Sequence, residues 1–180
     1  MTAANDGAKG GPTANTVLPR TAWQDRWVTE LLVVSHSKTG GTAQMLEAVL
    51  AGAHDPAIEG VRTRAVDALD ATASDVRSAD AVILGTPENF GYMSGALKHF
   101  FDSVFYELGD DTAGLPHGVF VKAGNDGSGA LRAIEPLTTG LRWRLVQPPV
   151  LAVGELTPDH LASCTELGAT IAAGLATATW

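Results

Sequence analysis

Four consecutive aliphatic side chains, Leu31-Leu32-Val33-Val34, run directly into the polar, glycine-bearing segment Ser35-His36-Ser37-Lys38-Thr39-Gly40-Gly41-Thr42. Side chains alternate across a β-strand, so a run that is apolar at every position must be covered on both faces. Beyond the turn, Met45 or Leu46, Val49 and Ala53 recur at helical spacing, which makes the segment strand, loop, helix. The same kind of strand returns at Ala79–Gly85, at Gly118–Ala123 and at Val150–Val153, with helix-length stretches between. Two-faced strands alternating with helices define an α/β domain with a parallel sheet covered on both sides.

The other elements follow from local signals. Val61 to Val66 alternates apolar with polar, the pattern of an edge strand exposed on one face. Asp67 to Arg77 reads as a short connecting helix or turn. Ser94 is placed as the N-cap of a helix whose face is Leu97, Phe101, Val104 and Leu108. A helix follows the glycine loop Gly124–Gly129 and ends before Pro148-Pro149. The last helix has Thr157 as N-cap, Pro158 in the first turn and Asp159 near its positive end. Its buried face is Leu161, Cys164, Leu167, Ile171 and Leu175.

Composition narrows the function. A chain of 180 residues, 45% hydrophobic and 18% charged, is one globular domain of ordinary size. Its formal charge of −8 excludes the basic stripe that nucleic acid requires. Cys164 is the single cysteine, which rules out an intrachain disulfide framework and fits a reducing cytoplasm. No Cys/His cluster at ligand spacing suggests a metal, and no apolar run approaches the roughly 18 residues of a membrane span. Residues 1–26, rich in Ala, Gly, Thr, Asn and Pro, are expected to form a flexible arm without the apolar block of a secretory signal. Residues 27–180 are the single domain, and Trp23 and Trp27 are expected to pin the arm to it.

The first loop is built to hold an anion. Amides gather at a helix N-terminus, where the first four have no internal partner and the dipole favours negative charge. Ser37, Thr39 and Thr42 add hydroxyl donors, and Gly40-Gly41 let the backbone approach closely. The Walker pattern and the dinucleotide Gly-x-Gly-x-x-Gly are both absent. No cysteine nucleophile is present and no Arg follows before Arg62. The loop therefore holds a phosphate without a group to cleave it. Ligands of open parallel sheets bind beyond the carboxyl ends of the strands, and three loops at that edge carry unusual residues: 35–42, 86–94 and 123–129.

These loops carry a resemblance to the flavodoxin-like flavoproteins, in particular the NAD(P)H-dependent FMN reductase and quinone reductase branch. Ser37-Lys38-Thr39-Gly40-Gly41-Thr42 is similar to the family's phosphate loop. Gly85-Thr86-Pro87-Glu88-Asn89-Phe90-Gly91-Tyr92-Met93-Ser94-Gly95 is similar to that branch's ring loop, the more specific of the motifs. The resemblance implies a three-layer sandwich around a five-stranded parallel sheet of order 2-1-3-4-5. It implies FMN as cofactor and NADH or NADPH as co-substrate, with a small acceptor such as a quinone and a homodimer.

By position, Ser37, Lys38, Thr39, Gly40, Gly41 and Thr42 would hold the FMN phosphate. Pro87, Glu88, Asn89, Phe90 and Gly91 would run beside the isoalloxazine ring. Ala123, Gly124, Asn125, Asp126, Gly127 and Gly129 would border its other side. A flavin ring has apolar faces and a polar edge, which suits Phe90 plus backbone hydrogen bonds. Hydrogen bonds to a charged phosphate contribute roughly 1.5–3 kcal/mol each, so amides and hydroxyls suffice without Arg. No catalytic side chain is required, because the flavin performs the transfer. The alternative is a flavodoxin-type one-electron carrier serving redox partner proteins. Ordinary structural roles are expected for His36 (a backbone hydrogen bond), His99 (surface), Asp126 (a turn former) and Cys164 (core), and Glu88 is expected to be an exposed loop carboxylate.

Overall fold

The computed structural model describes residues 28–180; the expected arm, with Trp23 and Trp27, lies outside them. Strand β1 (Thr29–Ser35) leads through the first loop into helix α1 (Gly41–Ala53), and β2 (Val61–Asp67) and the short α2 (Ala73–Arg77) follow. Then come β3 (Ala81–Asn89), β4 (Tyr92–Met93), α3 (Gly95–Leu108), β5 (Pro116–Ala123) and α4 (Ser128–Gly140). The chain finishes with β6 (Arg144–Leu145), β7 (Val150–Val153) and α5 (Pro158–Ala176).

The parallel sheet runs β2-β1-β3-β5, with β6 and β7 both paired to β5. This is the expected 2-1-3-4-5 order, with the fifth strand broken in two. Between the pieces the pairing shifts: Pro116 faces Arg144 but Phe120 faces Val150. Pro148 and Pro149 fall in the break, where two residues in succession have no N–H to give the ladder. The helix after the third loop ends before Pro148-Pro149, as expected, at Gly140, which leaves room for β6.

The central strands are apolar on both faces because each face has its own core. Leu32, Val34, Val82, Leu84, Val119 and Val121 meet α2, α3 and α4, with Phe100 and Phe101 fully buried there. Leu31, Val33, Ile83 and Phe120 meet α1 and α5 on the other side. Each such side chain contributes about 1.5–3 kcal/mol on burial. On α5 the expected face is found, with Cys164, Leu167, Ile171 and Leu175 buried and Leu161 packed at its margin. Helices α1 and α5 touch backbone to backbone: a Cβ on Gly52 would lie 1.9 Å from the Thr165 carbonyl oxygen, and one on Gly168 2.0 Å from that of Val49. That close crossing fixes α1, and with it the loop at its start.

Candidate functional site

Strands β1, β3 and β5 are adjacent and parallel, so the loops that leave their carboxyl ends emerge on one edge. In the first loop, Ser37 Oγ accepts the amides of Gly40 (3.2 Å) and Ala43 (3.1 Å). Its own proton is bonded to no acceptor among the described residues. Gly40 is the N-cap of α1 at φ 92°, supplies no capping side chain, and is followed by no acidic residue in the first turn. Thr42 is buried, while Lys38 and Thr39 are exposed. A helix start without any acid, ringed by hydroxyls and amides, has the donor set a phosphate dianion needs.

The second loop is more ordered than the sequence suggests. Strand β3 continues through Pro87 to Asn89, and β4 pairs back antiparallel with Glu88 opposite Met93 and Asn89 opposite Tyr92. The two-residue turn is Phe90-Gly91, with φ 53° and 71°. Two positive φ values are the signature of the tight hairpin turn that usually carries Asn-Gly. A phenylalanine in the left-handed region is strained, and this one is fully exposed, packing on none of the described residues. At the hairpin base the Thr86 hydroxyl, itself completely buried, accepts the Ser94 amide at 2.9 Å and donates to the Pro87 carbonyl. Ser94 then caps α3 through the Leu97 amide at 3.1 Å, as expected.

Glu88 is not a loose surface carboxylate. Its two oxygens accept the amides of Gly127 (3.2 Å), Gly129 (3.1 Å) and Ala130 (3.3 Å) at the start of α4. It therefore ties the second loop to the third with negative charge at the positive end of a helix. The contact is so close that a Cβ on Gly129 would lie 1.9 Å from the Gly91 carbonyl oxygen. Gly124, Asn125 and Asp126 form the exposed rim of the third loop, and Ala123 and Gly127 its buried base. Asp126 forms the turn, accepting the Ser128 amide at 2.8 Å, and this bond holds its carboxyl below the usual range.

His36 differs from expectation, since its Nδ1 lies 3.3 Å from the Asp67 carboxylate on β2 rather than on a backbone group. His99 is exposed. Cys164 is buried and its thiol is pushed up to about 11 by desolvation. One residue escaped the sequence reading altogether: Lys122, paired with Pro87 across β5 and β3, whose stem lies against Gly41. Its signal was being the one charged residue in an apolar strand. A cavity of about 330 Å³ lies between β5 and α4, lined by His117, Trp143 and Leu131 among others and by no residue of the three loops. No group of metal-ligating side chains occurs among the described residues, and none of their helices is long and apolar enough to cross a membrane.

A doubly wound parallel sheet of this order is a flavodoxin-like fold. Solved structures agree. A flavodoxin from the domain Archaea superposes with a TM-score of 0.70 at 21% identity, covering 83% of this chain and 99% of that one. A WrbA-like flavodoxin from Agrobacterium tumefaciens gives 0.67 at 24%, covering 83% and 98%. Residues 31–157 match the model of the NADPH-dependent FMN reductase family, and the chain belongs to that family. It is 28% identical over 171 residues to an NAD(P)H dehydrogenase (quinone) of Geobacter sulfurreducens, covering 80% of this chain and 84% of that protein. It is 35% identical over 100 residues to a flavodoxin of Aquifex aeolicus, a match spanning 56% of this chain and only about half, 53%, of that protein.

Proposed function

We propose that this protein is an FMN-dependent oxidoreductase that takes a hydride from NADH or NADPH and passes electrons to a small acceptor such as a quinone. The observation that carries this is the Glu88 tie, which joins two of the three loops into one wall at the edge where the acid-free start of α1 forms another. Residues 37–42 bind the phosphate through amides and through the Ser37, Thr39 and Thr42 hydroxyls. Pro87 to Gly91 and Ala123 to Gly129 flank the ring, and Phe90 offers it an apolar face that packs on none of the described residues. When bound, FMN supplies a ring nitrogen and carbon framework that accepts a hydride and releases electrons. The chain's part is to orient it and exclude water from one of its faces.

A homodimer pairing subunits across this edge and a cytoplasmic location complete the proposal; the name of the Geobacter relative and the single buried cysteine support the quinone and the location respectively. The match to the Aquifex flavodoxin favours a second role, that of an electron carrier for partner proteins. Anaerobic mixing of the FMN-loaded protein with each nicotinamide nucleotide separates the two. Rapid bleaching of the flavin band followed by recovery with a quinone is expected of the reductase. Bleaching by dithionite but by neither nucleotide would leave the carrier.

A further inference from the structure

We infer that Lys122 is the counter-ion of the cofactor's phosphate and the residue that makes the site prefer FMN to unphosphorylated riboflavin; this rests on the proposed flavin site. The side chain leaves β5 on the face shared with α1 and lies across the first residue of that helix. A Cβ built on Gly41 would meet its Cγ at 3.1 Å, its Cε at 3.4 Å and its Cδ at 3.5 Å. The ammonium donates to the carbonyls of Ala123, at 3.0 Å, and Gly154. An ammonium has three donors, so one remains. No carboxylate among the described residues pairs with it, although the chain carries 20 acidic residues against 12 Lys and Arg.

The placement opposes the local field. Cations are unfavourable at a helix N-terminus, and α1 has no acidic residue in its first turn to compensate. A bound dianion reverses the sign, because the helix amides and the ammonium then act on it together. A lysine serving only as a strut between Ala123 and Gly154 would not need to run past Gly41. Lys38, which the sequence offers as the basic residue of the loop, is exposed and makes no ion pair among the described residues.

The test compares affinities for FMN and riboflavin in wild type, Lys122→Met and Lys122→Gln by quenching of flavin fluorescence. Expected is a loss of FMN affinity of about tenfold or more in both variants, with riboflavin affinity unchanged and a weaker salt dependence of FMN binding. Equal losses for both ligands would mean that Lys122 only shapes the ring loop, and no loss for either would mean that it is a bystander; both results overturn the inference. Lys122→Arg, which keeps the charge, should retain the discrimination even if the shorter substitutions disturb folding, and its failure to do so counts against the inference. A wild type that binds neither flavin would instead refute the proposed site.

Discussion

Removing the charge of Glu88 should loosen two loops at once. The carboxylate accepts three amides at 3.1–3.3 Å. In Glu88→Gln one side-chain oxygen can still serve Gly129 and Ala130, but the new amide N–H₂ would face the Gly127 N–H, donor against donor. Hydrogen bonds to a charged group contribute roughly 1.5–3 kcal/mol against about 0.5–1.5 for neutral ones. Charge at a helix N-terminus adds about 0.3–1 kcal/mol. Because Glu88 is only half-buried and water can replace part of what is lost, a net cost of about 1–2 kcal/mol is expected for Gln. At about 2–4 °C per kcal/mol for a domain of this size, Tm should fall by several degrees. Hydrogen exchange gives the local readout: Gly127, Gly129 and Ala130 should lose protection in Glu88→Ala while the α5 amides keep theirs. FMN affinity should fall in step. An unchanged Tm together with unchanged protection of those three amides would refute the claim that Glu88 joins the loops.

Phe90→Asn puts the preferred residue at the first central position of the hairpin turn, so it should raise stability by about 1 kcal/mol while weakening FMN binding; thermal melts and flavin titrations check both, and gain without loss would remove Phe90 from the site. His117 is buried, its Nδ1 has no partner among the described residues, and desolvation pulls its imidazole down to about 4. The unfolded chain takes up that proton near the ordinary value, so stability should fall as pH drops from about 6.5 towards about 4, by up to about 3 kcal/mol. Urea melts across that range should show the slope in wild type and lose it in His117→Leu; equal slopes in the two proteins would contradict this. Cys164, buried and pushed up to about 11, should ignore a thiol reagent until the protein unfolds. Reaction in the folded state at the rate of a free thiol would refute that.

Much of the framework was legible in the sequence because it depends on local pattern and burial. The aliphatic runs of β1, β3 and β5 announce two-faced strands, and the Ser94 and Thr157 caps mark where α3 and α5 begin. Thus the edge on which the loops emerge could be read in advance. The hairpin could not, since Pro87 and a phenylalanine at positive φ both argue against regular pairing, and what holds it, the Thr86–Ser94 bond and the Glu88 tie to α4, is not written in local pattern. The break in the fifth strand was hidden too, because β6 is only two residues long and both are exposed, with no apolar run to mark it. Glu88 and Lys122 were hidden for a different reason. Glu88 bonds amides distant in sequence, and Lys122 bonds the carbonyls of its neighbour Ala123 and of Gly154; backbone amides and carbonyls leave no residue-type signature.

An amide-resolved NMR titration of the protein with FMN tests most directly whether one edge of the sheet holds the cofactor. Shifts should appear together, with one-to-one stoichiometry, in residues 37–42, 87–91 and 123–129, and leave the His117 cavity unmoved. Shifts confined to a single loop, shifts centred on that cavity, or no binding at all would contradict the account.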